Sequence, residues 1–119
     1  RYPCWGASKA YTALWEYKQA VERAGSFEAS AVIRSLEGHK FSILKDEEQW
    51  RKFDHQNIQT IFLVKCKEKK AVLKDPYKLD FFDIIDYLPG GRSARTYEEW
   101  KTDRLKANLP TYLEKLPGE

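Results

Sequence analysis

The amino-terminal part of the chain places apolar residues at the spacing of a helix. They recur from Ala10 to Ala24 at intervals of three and four and predict a helix over residues 7–24. Gly25 is expected to end it, since glycine adopts the left-handed conformation after a helix at little cost. Tyr11 and Tyr17 lie on the apolar stripe, so we expect both side chains in the core.

A second helix follows directly. Ser26 is expected to cap it through its side-chain oxygen, and Gly38 to stop it. The inward-facing residues of this helix would be Ala29, Val32, Ile33 and Leu36.

The middle of the chain changes to the pattern of strands. Short strands are expected around Phe41–Leu44 and over residues 50–53, and the strongest β signal runs from Ile58 to Cys66. Both faces of this strand carry apolar residues, which predicts a strand covered on both sides with Cys66 buried. A solvated turn or hairpin tip follows at residues 67–70, and a further strand lies within Leu79–Leu88.

Helical signals return near the carboxyl end. Thr96 and Glu99 have the spacing of a capping box, which predicts a helix to about Ala107. Trp100, flanked by charges, is expected to pack on the rest of the chain. A short helix is expected over residues 111–116. The predicted order is therefore α-α-β-β-β-β-α-α.

Composition limits the classes of protein that remain. Of 119 residues 42% are hydrophobic and 14% aromatic, which argues against disorder. The formal net charge is 21 − 18 = +3, too small to indicate nucleic acid by itself. The chain opens on an aromatic, turn-like stretch without an initiating Met, which we interpret as a cut or truncated end.

The two cysteines, Cys4 and Cys66, form neither a disulfide framework nor a zinc pattern. A metal site would need both thiols to meet His39 and His55, and no structural zinc spacing fits them. We therefore expect no metal and no cofactor.

The string Asp54-His55-Gln56 has a catalytic and a structural interpretation. A carboxylate next to a histidine can orient a general base. Adjacent residues of a strand point to opposite faces, however, so we expect the side chains to satisfy backbone groups instead. Neither cysteine has an activating context, and no enzyme activity is expected.

A lysine-rich hairpin follows the strongest strand. Its lysines, with Tyr77 nearby, could hold phosphate groups, but Glu68 and Asp75 dilute the charge. A solubilising tip is the preferred interpretation, and no nucleic-acid partner is expected. These lysines are Lys65, Lys67, Lys69, Lys70 and Lys74.

Four stretches in order resemble the periplasmic solute-binding proteins of ABC transporters for branched-chain amino acids, urea and amides. The first runs from Trp5-Gly6-Ala7 to Ala24-Gly25-Ser26, and the second helix ends Leu36-Glu37-Gly38. The third, Trp50 to Gln59, resembles the family's R-x-x-D-H-Q-x-x-Q-P segment, with Thr60 where proline is common. Phe81 to Gly90 is similar to the family's late strand before a proline-glycine turn.

The resemblance implies an α/β chain that is the C-terminal portion of a type I periplasmic-binding-protein-like fold. Two N-terminal helices, a small sheet of about four strands and C-terminal helices would form a single fragment, with residues 1–90 family-like and 91–119 a helical C-terminal extension. The implied function is delivery of a small polar solute to an ABC permease in a periplasmic or extracytoplasmic location. The first lobe and most of the second would lie upstream of Arg1.

The resemblance also implies a ligand site. In the family, the turn before the tyrosine-bearing helix reaches the cleft with an aromatic or nearby residue. Tyr2 and Trp5 occupy that turn here and are the candidate ligand-binding residues.

An alternative from another class remains open. The chain could be an independent α+β interaction or regulatory domain that binds a protein or nucleic acid partner through the lysine-rich hairpin. If instead it is a receptor fragment, its uncovered helix face and sheet edge predict self-association as a dimer or larger assembly.

Overall fold

The structure, a computed structural model, describes residues 5–113, and it begins with two helices. Helix α1 (Trp5–Ala24) and helix α2 (Ala29–Leu36) pack against each other as the predicted αα unit. Gly25 and Gly38 follow them with φ of 62° and 77°, so the predicted left-handed endings are confirmed.

The predicted cap of α2 is wrong in its position. Glu28, not Ser26, is the residue before the helix, and it provides no side-chain cap. The Ser26 hydroxyl instead accepts the Glu28 N–H at 3.0 Å. Ser26 therefore closes a local turn ahead of the helix, a common alternative use of a serine oxygen.

Helix α1 buries a side that shares only Ala20 with its predicted apolar stripe. Thr12, Glu16 and Ala20 are buried, whereas Tyr11 and Tyr17 are 53% and 46% exposed. The prediction that both tyrosines form the core is wrong. The periodicity identified which residues share a face, but α2 and the first sheet lie against the other face.

The first sheet is small and antiparallel, with the order β1-β2-β3. Its strands are β1 (Lys40–Phe41), β2 (Glu48–Trp50) and β3 (Asn57–Ile58). The expected strand over residues 50–53 is displaced, because the chain turns after Trp50 and comes back at Asn57.

Strands β4 (Ile61–Cys66) and β5 (Phe82–Leu88) form a separate antiparallel pair, which we call the ribbon. One sheet of about four strands was expected. The long β signal is split at residues 59–60, so that β3 pairs with β2 while β4 pairs with β5. The mixed α and β composition of the fold is as predicted.

The ribbon is uncovered on both faces. Every residue of β4 and β5 is exposed, so the prediction of a strand covered on both sides with a buried Cys66 is wrong. The strands contact each other and little else among the other helices and strands. The register shifts between Leu63 and Val64, where Ile85 is left without a partner and forms a β-bulge.

The segment between β4 and β5 is not a simple turn. Residues 69–72 form a short helix, α3 (Lys69–Val72), whose Val72 is buried. After β5 comes a second short helix, α4 (Gly90–Ser93).

Helix α5 (Tyr97–Lys106) has the predicted capping box. Thr96 accepts the Glu99 backbone N–H at 3.2 Å, and Glu99 accepts the Thr96 N–H at 2.7 Å. Trp100 is buried against Phe53, as expected of this aromatic residue. Residues 111–113 are not helical, and the rest of the short helix expected over residues 111–116 lies outside the described residues.

The core is small and the molecule is elongated. The radius of gyration is 18.5 Å, compared with about 13.5 Å for a compact domain of this length. Buried apolar side chains within residues 5–113 are Ala20, Val32, Phe41, Val72 and Trp100.

Candidate functional site

The predicted ligand-binding aromatics lie at the start of α1. Trp5 is the first residue of the helix and is 83% exposed, and its carbonyl accepts a hydrogen bond from the Ser8 hydroxyl. Tyr2 lies outside the described residues. Trp5 is thus available to a ligand, and the question is which groups lie near it.

A polar cluster lies one helical turn beyond Trp5. Lys9 donates to the side-chain oxygen of Gln59, and Lys45 donates to the same oxygen at 2.8 Å. Lys45 also reaches the Thr60 carbonyl at 3.1 Å, while the Thr60 hydroxyl donates to Asp46. These contacts fasten the first turns of α1 to the segment that joins β3 to β4.

A layer of buried polar groups continues from this cluster between α1 and the first sheet. Glu16 is 1% exposed and Glu48 is 2% exposed. Lys9 lies 3.8 Å from Glu48, and His39 lies 3.5 Å from Glu16. Each buried carboxylate therefore faces one basic side chain across the interface.

The same layer contains every buried side-chain nitrogen or oxygen atom that lacks a hydrogen bond within the described part of the chain. On the sheet, strand pairing places Glu48, Trp50 and Asn57 on one face. Buried polar atoms in proteins nearly always have a partner, so such a layer is suited to bound water or to another polar molecule. The atoms are both carboxylate oxygens of Glu16, Oε2 of Glu48, Nε1 of Trp50 and Oδ1 of Asn57.

The Asp54-His55-Gln56 string lies in the turn between β2 and β3. Asp54 contacts Arg51 through both carboxylate oxygens and also accepts the Gln56 backbone N–H at 3.3 Å. Burial raises the pKa of Asp54, but the hydrogen bonds from Arg51 and Gln56 outweigh it and hold that pKa below its ordinary value. Asp54 thus stabilises the turn, as the structural interpretation predicts, although on a turn and not on a strand.

His55 contacts a different acid. Its Nε2 lies 3.0 Å from Glu37 at the end of α2, and its φ of 54° is rare for a residue with a side chain. Partial burial raises the pKa of Glu37, but hydrogen bonds from His55 and Lys52 outweigh it, so the pKa lies below its usual value. In the described residues neither histidine contacts a hydroxyl or thiol group, so no nucleophile–base pair is formed.

The Glu37–His55 pair borders a pocket of about 170 Å³ between α2 and β2. Apolar side chains of α2 form one wall, and Trp50 and Arg51 form the other. The volume is below that of typical ligand pockets, so this pocket can accept only a small group.

The basic segment after β4 is partly neutralised. Lys67 donates a hydrogen bond to Asp80 and lies 3.4 Å from Asp83, and the bond to Asp80 raises the pKa of Lys67. Among the residues that the structure describes, no group of histidine, cysteine and acidic side chains could hold a metal ion.

Sequence reasoning missed the buried polar layer. Its signal is the row Lys9, Thr12 and Glu16, which has helical spacing beside the apolar stripe of α1. Polar residues at such spacing normally indicate a solvated face, so only the position of the first sheet distinguishes the two cases.

No protein family, no curated protein and no solved structure matches this chain. Within the described residues, no helix has both the length and the apolar character needed to cross a membrane.

Proposed function

We propose that the chain is the C-terminal part of an extracytoplasmic solute-binding receptor. Such a receptor would deliver a small polar solute, of the branched-chain amino acid, urea or amide type, to an ABC permease. It performs no chemistry, and its mechanism is closure of two lobes around the solute.

The observation that carries this proposal is the outer face of α1, the side opposite the buried polar layer. This face is apolar, yet α2 and the first sheet leave it exposed or half-buried. A helix that uses one side for its own chain and keeps a second apolar side is suited to an interior position in a larger lobe. The outer face consists of Ala7, Ala10, Leu14, Tyr17 and Val21.

The positions of the resembling segments support the same proposal. The Ala24-Gly25-Ser26 stretch lies at the end of α1, and Leu36-Glu37-Gly38 lies at the end of α2. The Asp54-His55-Gln56 string forms the turn that leads into β3. The segments therefore mark boundaries of helices and strands in the order that the resemblance implies.

In this receptor Trp5 would contribute an exposed indole to the cleft, with Tyr2 beside it in sequence. Lys9 and Lys45 would hold that end of α1 in place through Gln59. The opposite wall of the cleft is not supplied by these residues, so the 119-residue chain binds solute weakly by itself.

Calorimetric titration of the chain with branched-chain amino acids, urea and short amides tests this account. We expect dissociation constants above about 1 mM, equivalent to less than about 4 kcal/mol of binding free energy. Micromolar binding by the chain alone would contradict the proposal that half of the cleft is missing.

The coding sequence on the N-terminal side of Arg1 provides a second test. We expect a large α/β region there, preceded by a secretory signal. An initiating Met codon directly before Arg1 would instead favour a free-standing domain.

A substitution in the receptor that contains this segment tests the ligand-binding residue. Trp5→Ala should weaken solute binding by at least about tenfold, or about 1.4 kcal/mol. Tyr77→Ala is the matched control, because Tyr77 is an aromatic residue that is 81% exposed and follows α3, far from α1 in sequence. Equal loss in both variants would overturn the role of Trp5.

The independent interaction domain is the second candidate, and exposed Lys69, Lys70 and Lys74 around α3 favour it. Fluorescence anisotropy with single-stranded nucleic acid tests this candidate. Binding that falls steeply with salt and disappears on Lys69→Ala and Lys70→Ala would support it over the receptor.

A further inference from the structure

The two faces of the ribbon differ in chemistry. Strand pairing places Lys65 opposite Asp83, and Leu63 opposite Asp86, so one face carries charge. The other face, which we call the apolar face, has no charged residue among its paired positions. The apolar face consists of Phe62, Val64, Cys66, Phe82, Ile84 and Tyr87.

The apolar face also contains a groove. Residues 79–81 form a border beside this face and line, together with Phe62, Val64 and Ile84, a groove of about 290 Å³. The border contains one charged residue, Asp80, whose carboxylate is paired with Lys67.

The exposed area of this face is close to what a dimer needs. With about 200 Å² for a fully exposed large side chain, the apolar face and its border present about 700 Å² of apolar surface. A monomeric protein rarely exposes a patch of more than about 600 Å², and a standard interface buries about 800 Å² per partner.

The accessible surface of the whole chain is also larger than that of a compact monomer. Its accessible surface is 9277 Å², whereas a compact monomer of 14.0 kDa exposes about 6,700 Å². The excess of about 2,600 Å² per chain is larger than the apolar face, so this face accounts for only part of it.

We propose that the apolar face is a two-fold dimer interface, covered by the apolar face of a second copy of this chain. In a two-fold dimer the same patch of both copies meets, so a charge close to the two-fold axis lies near its own image. The charged face would bring Asp83 and Asp86 toward the same residues of the second copy, at a cost. The apolar face meets its copy without that repulsion, and the charged faces remain in water.

This inference concerns the chain by itself and does not depend on the receptor assignment. The receptor proposal rests on the outer face of α1, which lies on a different element. A dimer through α1 and a dimer through the ribbon can therefore be distinguished.

Analytical ultracentrifugation over a concentration series tests the assembly. We expect a dimer of twice 14.0 kDa that dissociates on dilution. Ile84→Lys should weaken the dimer at least about 100-fold, equivalent to about 2.7 kcal/mol. Ile84 is 65% exposed, so the fold should tolerate the lysine, and circular dichroism checks this.

Leu63→Lys is the matched control. Leu63 is 59% exposed on the charged face, opposite Asp86, so the added lysine should leave the dimer unchanged. Loss of the dimer in Leu63→Lys or Leu14→Lys, with Ile84→Lys still dimeric, would overturn the proposal. A monomer at all concentrations, or a complex only with a different protein, would overturn it as well.

Cys66 provides a second measurement that needs no variant of the interface. In a Cys4→Ser background Cys66 is the sole thiol, and it lies on the apolar face. Its reaction with a thiol reagent should be slow at concentrations where the chain is dimeric and become faster on dilution. A rate independent of concentration, in a chain that ultracentrifugation shows to be dimeric, would contradict an interface on this face.

Discussion

Two regions of the molecule arrange polar and apolar residues in opposite ways. One is the buried polar layer between α1 and the first sheet, and the other is the ribbon. The layer buries Glu16 and Glu48, while the ribbon exposes phenylalanine, isoleucine and tyrosine side chains. In most domains the apolar residues would be inside and the acids outside. The difference teaches that this chain uses polar residues to hold its own elements together, while much of its apolar surface stays exposed.

The largest expected effect on the free energy of unfolding comes from Phe41, an apolar residue inside the buried polar layer. Phe41 is buried and stacks on Trp50, with ring centroids 5.9 Å apart. Phe41→Ala should lower the free energy of unfolding by about 3–5 kcal/mol. Leu63→Ala, on the ribbon, should change it by less than about 0.5 kcal/mol. Denaturant unfolding at a concentration where the chain is monomeric measures the free energy of unfolding of both variants. Equal losses would contradict the difference between the buried polar layer and the ribbon.

An intermediate effect is expected at the turn that joins β2 to β3. Asp54→Asn should cost about 1.5–3 kcal/mol at pH 7, since hydrogen bonds to a charged group are lost. Because the pKa of Asp54 is lower in the folded chain than its ordinary 3.8, its stabilisation is present above about pH 4 and is lost as the pH falls through the folded pKa.

Unfolding measured between pH 7 and pH 2 should therefore show a decline that is smaller in Asp54→Asn. Asp103→Asn is the control, because its pair with Arg95 is exposed on both sides and contributes less than about 0.5 kcal/mol. A steeper acid decline in Asp54→Asn than in the parent chain would contradict the assignment.

The smallest effects are expected on the two sides of α1. Glu16→Leu removes a buried carboxylate without hydrogen bonds, and His39 stays partly exposed to water, so the free energy of unfolding should rise by about 1–2 kcal/mol. Leu14→Ala, on the outer face of the same helix, should change it by less than about 0.5 kcal/mol. Thermal unfolding of the two variants compares them directly. A large loss of stability in Glu16→Leu would show that the pair with His39 stabilises the interface.

The local boundaries of the fold could be predicted from the sequence. Gly25, Gly38 and the Thr96–Glu99 capping box depend on backbone geometry near each residue, which neighbouring residues determine. The side of α1 that is buried could not be predicted, because periodicity does not say what a face contacts. The prediction that Cys66 is buried was wrong for the same reason.

The division into two sheets and the candidate site were predictable only in part. The run from Ile58 to Cys66 reads as one strand, and its break at residues 59–60 follows from side-chain contacts with Lys45, Asp46 and Lys9. These contacts join segments distant in sequence. The exposure of Trp5 agrees with an available ligand-binding residue, and its role stays a prediction.

The bulge at Ile85 has a consequence for how insertions and deletions act on this chain. Asp83 and Asp86 are three positions apart, a spacing that puts residues of a regular strand on opposite sides, and the unpaired residue between them brings both acids to one side. Loss of the single codon for Ile85 would therefore remove the bulge and leave every later residue of β5 on its present side. Asp86 would still lie opposite Leu63, on the same side as Asp83, whereas one residue inserted into the regular part of the strand would exchange the sides of all residues beyond it.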